Sequence, residues 1–299
     1  MKASTPCYSL CKDGTRLAWS CLLAICVLAA QANAADLRVP AIVDADRAFS
    51  ISLDGAGEAT FYLIGPDHVV KRTVTLGGAL QIQSSDVRAV GRYQVIVCGS
   101  SCSSATFDVR ATQPAHISFF LHPSRVPVST PGSIDATAFV FDQNFNLVLI
   151  PSTVAFQVHP TNGTSFTRQG STRLGVTWIR MDSTTKEGRV QVTAALRNVQ
   201  EARVIQQVAS EACGLHIKAL PNGDSVTLET DPVRDCSGNA LPDGTVVSFT
   251  KVDHAGKSTV DTPIKKGIAR VRLSVHGSAQ ISVACGVVLG NEVTVNGKL

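Results

Sequence analysis

The sequence predicts an all-β chain of tandem β-sandwich domains behind an N-terminal export signal. Three observations support this prediction. Short runs of alternating apolar and polar residues follow one another after residue 35, helical periodicity is nearly absent there, and the chain repeats itself at a spacing of about 93 residues. The hydrophobic share of 44% is enough for packed cores, so extensive disorder is excluded.

The alternating runs are typical of half-buried antiparallel strands. Clear examples are residues 133–140 (SIDATAFV), 153–158 (TVAFQV) and 189–194 (RVQVTA). Each is four to eight residues long, rich in β-branched residues, and bounded by Gly, Pro, Asn or Asp. Because no capping box leads into a long stretch of helical period, we expect no βα units.

The repeat divides the chain into three similar parts. Five residues recur 93 positions later: Asp142, Asn146, Val148, Val154 and Phe156 become Asp235, Asn239, Leu241, Val247 and Phe249. Residues 188–193 recur at 277–282, and an earlier copy lies at 91–96. We predict domains at 36–111, 112–208 and 209–299, each with the six or seven strands of one immunoglobulin-like sandwich.

The first 34 residues resemble a secretory signal peptide. An uncharged apolar run of fourteen residues (17–30) follows Lys2, Lys12 and Arg16, and it precedes Ala32-Asn33-Ala34. The alternative is a membrane anchor, but fourteen helical residues reach only about 21 Å of a ~30 Å hydrocarbon core. We therefore predict cleavage, no transmembrane span afterwards, and export to the periplasm, the cell surface or the medium.

The charge of the chain favours no anionic partner. The formal net charge is +4, and three positive charges and one negative charge leave with the leader, so the mature chain carries +2. No basic stripe with interleaved aromatic residues follows, so we expect no nucleic-acid partner.

Tyr93 occupies a position that suits two interpretations. It lies in the segment DVRAVGRY, at the start of the sixth strand of the first domain, where a tyrosine corner would fall. The alternative is an ordinary strand tyrosine, and the sequence does not distinguish the two.

The third domain resembles the bacterial immunoglobulin-like group 1 repeats of intimin- and invasin-type surface proteins. The resemblance is carried by residues 235–249 (DCSGNALPDGTVVSF) and by Gly267-Ile268-Ala269. The second domain is similar but diverged, because Phe145 stands at the glycine of the turn and Leu149-Ile150-Pro151 replaces Pro-Asp-Gly. The resemblance implies an immunoglobulin-like fold. It implies little about function, since such repeats often act as spacers.

Cysteine spacing predicts disulfides rather than redox or metal chemistry. Cys7, Cys11, Cys21 and Cys26 leave with the leader. Cys98 and Cys102 flank a tight hairpin, so we predict a disulfide there rather than a redox-active pair. In the third domain all three pairings of Cys213, Cys236 and Cys285 are open, and we favour Cys213–Cys236 with Cys285 as a buried thiol.

Signatures of catalysis and metal binding are missing from the sequence. There is no Gly-x-Ser-x-Gly elbow, and no two of the seven histidines stand at metal-ligand spacing. Asp231, Asp235 and Asp243 surround one loop and could hold calcium, but we interpret them as turn aspartates. We expect no enzyme activity, no metal and no cofactor.

The first functional hypothesis is an exported, non-catalytic immunoglobulin-like repeat protein. It would act as a binding or spacer module in the cell envelope or at the cell surface, with an unknown protein or glycan as partner. The alternative is an accessory array that presents a polysaccharide or an enzyme, which predicts a row of exposed aromatic residues on one sandwich face. We expect most of the eleven phenylalanines in the core, which leaves this alternative less supported. A hydrolase on a β-sandwich has no residues in its favour.

Overall fold

The structure is a computed structural model that describes residues 37–222 and 225–296. The described residues form twenty-three β-strands and one short 3-10 helix, with no α-helix, so the predicted all-β class is confirmed. No helix in this part of the chain is long and apolar enough to cross a membrane. The predicted signal peptide, residues 1–34, lies outside the described residues.

The chain separates into two compact units, which divide between Thr112 and Gln113. The first unit contains the first predicted domain. The second unit draws its strands from residues 116–208 and 217–296, which correspond to the second and third predicted domains. The division into three domains stays a prediction, and we call the three sheet pairs the first, second and third sandwich.

The first sandwich has eight strands in two sheets. They are β1 (Leu37–Arg38), β2 (Ile42–Asp44), β3 (Phe49–Leu53), β4 (Glu58–Ile64), β5 (Val69–Thr75), β6 (Gly78–Ile82), β7 (Gly91–Cys98) and β8 (Cys102–Arg110). The sheet orders are β1-β3-β6 and β2-β8-β7-β4-β5, with β2 parallel to β8. Alternate side chains such as Phe61, Leu63, Val95 and Phe107 fill the core between them.

Tyr93 forms a tyrosine corner at the start of β7. Its hydroxyl donates a hydrogen bond to the backbone oxygen of Ala89 at 3.0 Å, and its ring stacks on Phe107 with centroids 5.4 Å apart. Gly65 leaves room for the ring, because a Cβ there would lie 2.4 Å from Tyr93 Cε1. Burial raises the pKa of Tyr93 to about 12, and the Asp67 carboxylate contributes to this increase. The hydrogen bond to Ala89 lowers the pKa by a smaller amount. The tyrosine-corner interpretation is therefore the correct one of the two.

The second sandwich also has eight strands. They are β9 (His116–His122), β10 (Arg125–Pro127), β11 (Ile134–Phe141), β12 (Thr153–Pro160), β13 (Phe166–Ser171), β14 (Val176–Met181), β15 (Gly188–Leu196) and β16 (Val199–Val208). The sheet orders are β14-β11-β9 and β10-β16-β15-β12-β13. The three runs predicted as strands from their alternation correspond to β11, β12 and β15.

The third sandwich has seven strands. They are β17 (Ile217–Asn222), β18 (Ser225–Thr230), β19 (Val246–Asp253), β20 (Gly256–Pro263), β21 (Arg270–Ser274), β22 (Ser278–Cys285) and β23 (Val288–Asn296). The sheet orders are β17-β18-β21 and β20-β19-β22-β23. Its core is one cluster of buried side chains drawn from residues between Ala209 and Cys285, and it includes the fully buried Leu228, Val247, Phe249 and Ile281.

The sequence repeat corresponds to one turn that is built twice. In the second sandwich Asp142 Oδ1 accepts the backbone N–H groups of Asn144 and Asn146, both at 2.9 Å. In the third sandwich Asp235 Oδ1 accepts those of Ser237 at 2.9 Å and Asn239 at 2.8 Å. A buried carboxylate that binds several backbone N–H groups fixes the turn, which explains why this pair recurs.

The turn at Asp235 also joins the second and third sandwiches. The Asn239 amide nitrogen donates to the Thr185 carbonyl oxygen at 2.9 Å, and its oxygen accepts the Glu187 N–H at 3.2 Å. Beside it the hydroxyls of Ser129 and Ser237 are 2.6 Å apart. The two sandwiches are therefore bonded to each other through the side chain that closes the turn, next to an open cleft of about 940 Å³.

We expect Tyr93→Phe to lower the free energy of unfolding by about 1 kcal/mol, because the part-buried Ala89 carbonyl loses its partner. Urea denaturation followed by circular dichroism measures the change. Tyr62→Phe is the matched control, since Tyr62 is only half-buried and keeps its ring in the variant. Equal stability of wild type and Tyr93→Phe would contradict a structural role for the hydroxyl.

Asp235 makes stability depend on acid pH. Burial acts to raise the pKa of Asp235, but hydrogen bonds from Asn239, Ser210 and Ser237 outweigh it, so the pKa is below its ordinary value. The unfolded chain therefore takes up the proton first as the pH falls. The stabilisation from Asp235 is complete above the unfolded pKa of about 3.9 and is lost as the pH falls through the folded pKa.

We expect Asp235→Asn to lower the free energy of unfolding at pH 7 by about 1–3 kcal/mol, because an amide cannot accept all four bonds. The free energy of unfolding of the variant should also decrease less than that of wild type as the pH falls below about 4. Denaturant titrations between pH 7 and pH 2.5 measure both effects. Asp54→Asn, at an exposed position, is the control, and parallel pH curves for wild type and Asp235→Asn would disprove the role.

Candidate functional site

The cysteines in the described residues form two disulfides and one buried thiol. The disulfide Cys98–Cys102 closes the hairpin between β7 and β8, where the two residues pair directly, with Cα atoms 4.1 Å apart. The disulfide Cys213–Cys236 ties the segment before β17 to the Asp235 turn, with Cα atoms 4.9 Å apart. Both predicted pairs are thus present. Cys285 is a free buried thiol, and burial raises its pKa, which favours the protonated form.

The three aspartates weighed as calcium ligands each have a structural partner. Asp231 pairs with Lys218 at 2.5 Å, Asp235 holds its turn, and Asp243 accepts the Gly267 N–H at 3.4 Å. Among the described residues, no three His, Cys, Asp or Glu side chains group closely enough to hold a metal ion.

The most distinctive surface of the chain is the outer side of the sheet β14-β11-β9. Side chains of β11 alternate, so that Ile134, Ala136, Ala138 and Val140 are buried against the second sheet. The intervening side chains point outward. They are Asp135, Thr137, Phe139 and Phe141.

The strand register arranges the outer side chains in rows. Thr137 is flanked by Phe120 of β9 and Trp178 of β14. The next row along β11 places Phe139 between Ser118 and Val176. A third row places Phe141 beside His116.

These rows carry exposed aromatic rings close together. Phe120 is 60% exposed and Trp178 is 63% exposed. Phe120 packs edge-on against Phe139, with ring centroids 5.9 Å apart. We define the aromatic face as Phe120, Phe139, Phe141, Phe145, Trp178 and His116.

Phe145 extends the aromatic face from the Asp142 turn. Its ring stacks on His116 with centroids 4.5 Å apart and planes 2° from parallel, and it is 69% exposed. Its backbone φ is +60°, in the left-handed region that disfavours bulky side chains. The equivalent residue of the third sandwich is Gly238, with φ +82°. The second sandwich therefore places a large ring where the same turn elsewhere uses glycine.

One ion pair borders the aromatic face. Arg180 binds Asp135 through two hydrogen bonds of 2.8 and 3.3 Å, and His122 is the other neighbour of Asp135 in that row. The Arg180 guanidinium lowers the pKa of the Asp135 carboxyl, and His122 acts in the same direction. Asp135 is therefore ionised at neutral pH, and the two full charges of this row cancel.

Sequence reasoning missed this face. We expected most of the eleven phenylalanines in the core. Five are buried, namely Phe61, Phe107, Phe119, Phe156 and Phe249, and Phe49 packs against the first core. Phe120 and Phe145 are largely exposed, and Phe166 is partly exposed. The sequence does contain an indication of this face. Phe139 and Phe141 lie an even number of residues from Asp135, so they share its side of the strand, whereas Ile134 and Val140 lie on the other side.

Solved structures with a similar fold include a bacterial adhesin and a bacterial integrin-binding protein. FdeC, an Escherichia coli adhesin, superposes with a TM-score of 0.58 at 13% identity, over 88% of this chain and 96% of FdeC. Invasin, a bacterial integrin-binding protein, superposes with a TM-score of 0.52 at 12% identity, over 88% of this chain and 60% of invasin. No family model and no curated protein sequence matches the chain.

These two neighbours agree with the resemblance carried by residues 235–249. At identities this low they establish architecture and not activity. The chain has the immunoglobulin-like repeat fold of intimin/invasin-type proteins.

Proposed function

We propose that the protein is an exported, non-catalytic immunoglobulin-like repeat protein that binds a partner at the cell envelope or cell surface through the aromatic face. The structural neighbours FdeC and invasin are an adhesin and an integrin-binding protein, which supports a surface binding role. The exported state rests on the sequence of residues 1–34 and is supported by the two disulfides, which persist in oxidising compartments.

The observation that carries the proposal is the aromatic face, whose rings lie on three neighbouring strands and on the Asp142 turn. The largest apolar patch on a soluble protein is often a functional surface. Tryptophan and phenylalanine are also enriched in protein interfaces relative to the rest of the surface. Phe120 and Trp178 lie within strands, so their positions are fixed before a partner arrives.

Backbone strain at Phe145 supports the same conclusion. A non-glycine residue in the left-handed region loses about 1–2 kcal/mol relative to glycine. Because Gly238 forms the same turn, the turn itself does not require a side chain here. Strained residues concentrate at functional sites, where the surrounding structure holds them. The Phe145 ring, exposed and stacked on His116, fits a contact residue better than a structural one.

The third sandwich fits a supporting role. Its hydrogen bonds to the second sandwich through Asn239 hold the two together. In this arrangement the second sandwich binds the partner through the aromatic face, and the third sandwich acts as a spacer.

An accessory array that grips polysaccharide is the second candidate. It predicts a row of exposed aromatic residues on one sandwich face, and Phe120 and Trp178 flanking Thr137 form such a row. The two candidates share the same binding surface and differ in the partner.

We expect Phe145→Gly to change the free energy of unfolding by no more than about 1 kcal/mol. Relief of about 1–2 kcal/mol of strain offsets the lost stacking of about 0.5–1.5 kcal/mol and the greater chain entropy of glycine. Phe156→Ala, in the core of the same sandwich, should lower it by about 3–5 kcal/mol. Denaturant titration compares the two, and a large loss for Phe145→Gly would show that Phe145 is structural.

We expect the double variant Phe120→Ala, Trp178→Ala to bind cells at least about tenfold more weakly than wild type, because aromatic anchors dominate interfaces. The full chain is produced with its own leader, fluorescently labelled, and titrated by flow cytometry on a panel of bacterial and animal cells. Phe166→Ala is the matched control, since Phe166 is an exposed phenylalanine on the opposite sheet.

Unchanged cell binding by a folded double variant would refute the aromatic face as the binding surface. Thermal denaturation checks folding, and exposed substitutions should shift stability by about 0.5 kcal/mol or less. Recovery of the chain only from the cytoplasm, with residues 1–34 intact, would refute export.

A further inference from the structure

The aromatic face is small for a protein partner. Three strands about 4.8 Å apart give it a width of about 14 Å, and the rows from Asp135 to Phe141 extend about 20 Å along β11. The resulting area of about 300 Å² is well below the roughly 800 Å² that each partner contributes to a stable protein interface. The same argument applies to a second copy of this chain. A narrow ligand that covers only the three strands fits better.

The charges that β9, β11 and β14 contribute to the aromatic face favour a neutral ligand over a strongly ionic one. Of the residues that β9, β11 and β14 place on the outer surface, Asp135 and Arg180 carry full charges, and they pair with each other. A phosphate-rich or uronic-acid chain would need unpaired cations for tight binding. The ligand that fits is neutral.

Polar groups interleave with the rings in a way that suits a sugar. Thr137 lies between Phe120 and Trp178, and Ser118 lies beside Phe139, so each row holds a hydroxyl next to an aromatic surface. The row at Asp135 adds carboxylate, guanidinium and imidazole groups. Sugar rings combine apolar C–H faces with hydroxyls at their edges, so they match rings flanked by donors and acceptors.

We propose that the aromatic face binds a neutral oligosaccharide chain laid across β14, β11 and β9. Trp178 and Phe120 are the stacking platforms for two sugar rings on either side of Thr137. Asp135 and Arg180 hydrogen-bond to hydroxyls at one edge, and Phe145 on His116 contacts a further ring at the other end of the face. This inference rests on the proposed function, because it names the partner class of the same surface.

Trp178 provides a direct readout of binding. The sequence contains two tryptophans, Trp19 in the predicted leader and Trp178, so Trp178 is the single tryptophan of a full chain with Trp19→Phe. A sugar ring stacked on the indole excludes water and shifts its emission to shorter wavelength. The probes are the neutral hexasaccharides of cellulose, xylan, laminarin, starch, mannan and chitin, with hexagalacturonic acid as the anionic comparison.

We expect a saturable blue shift with at least one neutral hexasaccharide. Binding should weaken about tenfold in Phe120→Ala and in Asp135→Ala and stay unchanged in Phe166→Ala. Phe145→Gly should weaken it by a smaller factor. Retained folding of each variant is checked by circular dichroism.

Two results would overturn the inference. One is the absence of any response to the six neutral hexasaccharides, and the other is a response to hexagalacturonic acid alone. If cell binding still requires Phe120 and Trp178 in that case, the partner is a protein and the proposed function stands. If cell binding is independent of both residues, the proposed function fails by itself, whatever the sugar titration gives.

Discussion

The alternation of side chains along β11 is the constraint on which the second sandwich depends. A strand can bury only every second residue, and in β11 the buried set is Ile134, Ala136, Ala138 and Val140. On the opposite sheet the larger side chains of Phe156 and Val158 are buried as well, and Phe156 packs near Phe119 of β9. Once this set is buried, Phe139 and Phe141 must point outward. The core of the second sandwich and its aromatic face therefore come from the same alternation of side chains along β11.

The same alternation explains why a surface of this kind is rigid. Phe120 and Trp178 are attached to strands whose neighbouring residues, Phe119 and Thr177, are buried, so neither ring can turn inward without a shift of register. Antiparallel pairing on both sides of β11 fixes the spacing of the rows. A ligand that meets this face therefore finds its platforms preorganised, which reduces the entropy lost on binding.

Much of the fold could be predicted from sequence because its determinants are local. The alternating runs locate β11, β12 and β15, and the recurrence of Asp and Asn at a spacing of four locates the two turns. The hairpin disulfide follows from the short spacing of Cys98 and Cys102. The pairing of Cys213 with Cys236 could only be favoured, because three cysteines in one sandwich allow every combination.

The aromatic face could not be assembled from sequence because it depends on which strands are neighbours. Phe120, Phe139 and Trp178 are separated along the chain and meet only through the order β14-β11-β9. Each phenylalanine taken alone is more often a core residue, and this general preference pointed to the wrong location. The position of a residue within a strand predicts on which side of the sheet its side chain lies. The order of the strands must also be known before it can be predicted which of these side chains are neighbours.

The two copies of the Asp–Asn turn separate structural from functional residues. Asp142 and Asp235 make the same backbone contacts, and Asn146 and Asn239 close the turn in the same way, because any change there breaks buried hydrogen bonds. The fourth position carries no such bond from its side chain, so it is free to differ. The third sandwich uses Gly238, which suits the positive φ, whereas the second uses Phe145 against that preference. The Asp–Asn turn therefore forms with either residue, and the Phe145 ring adds to it an exposed surface stacked on His116.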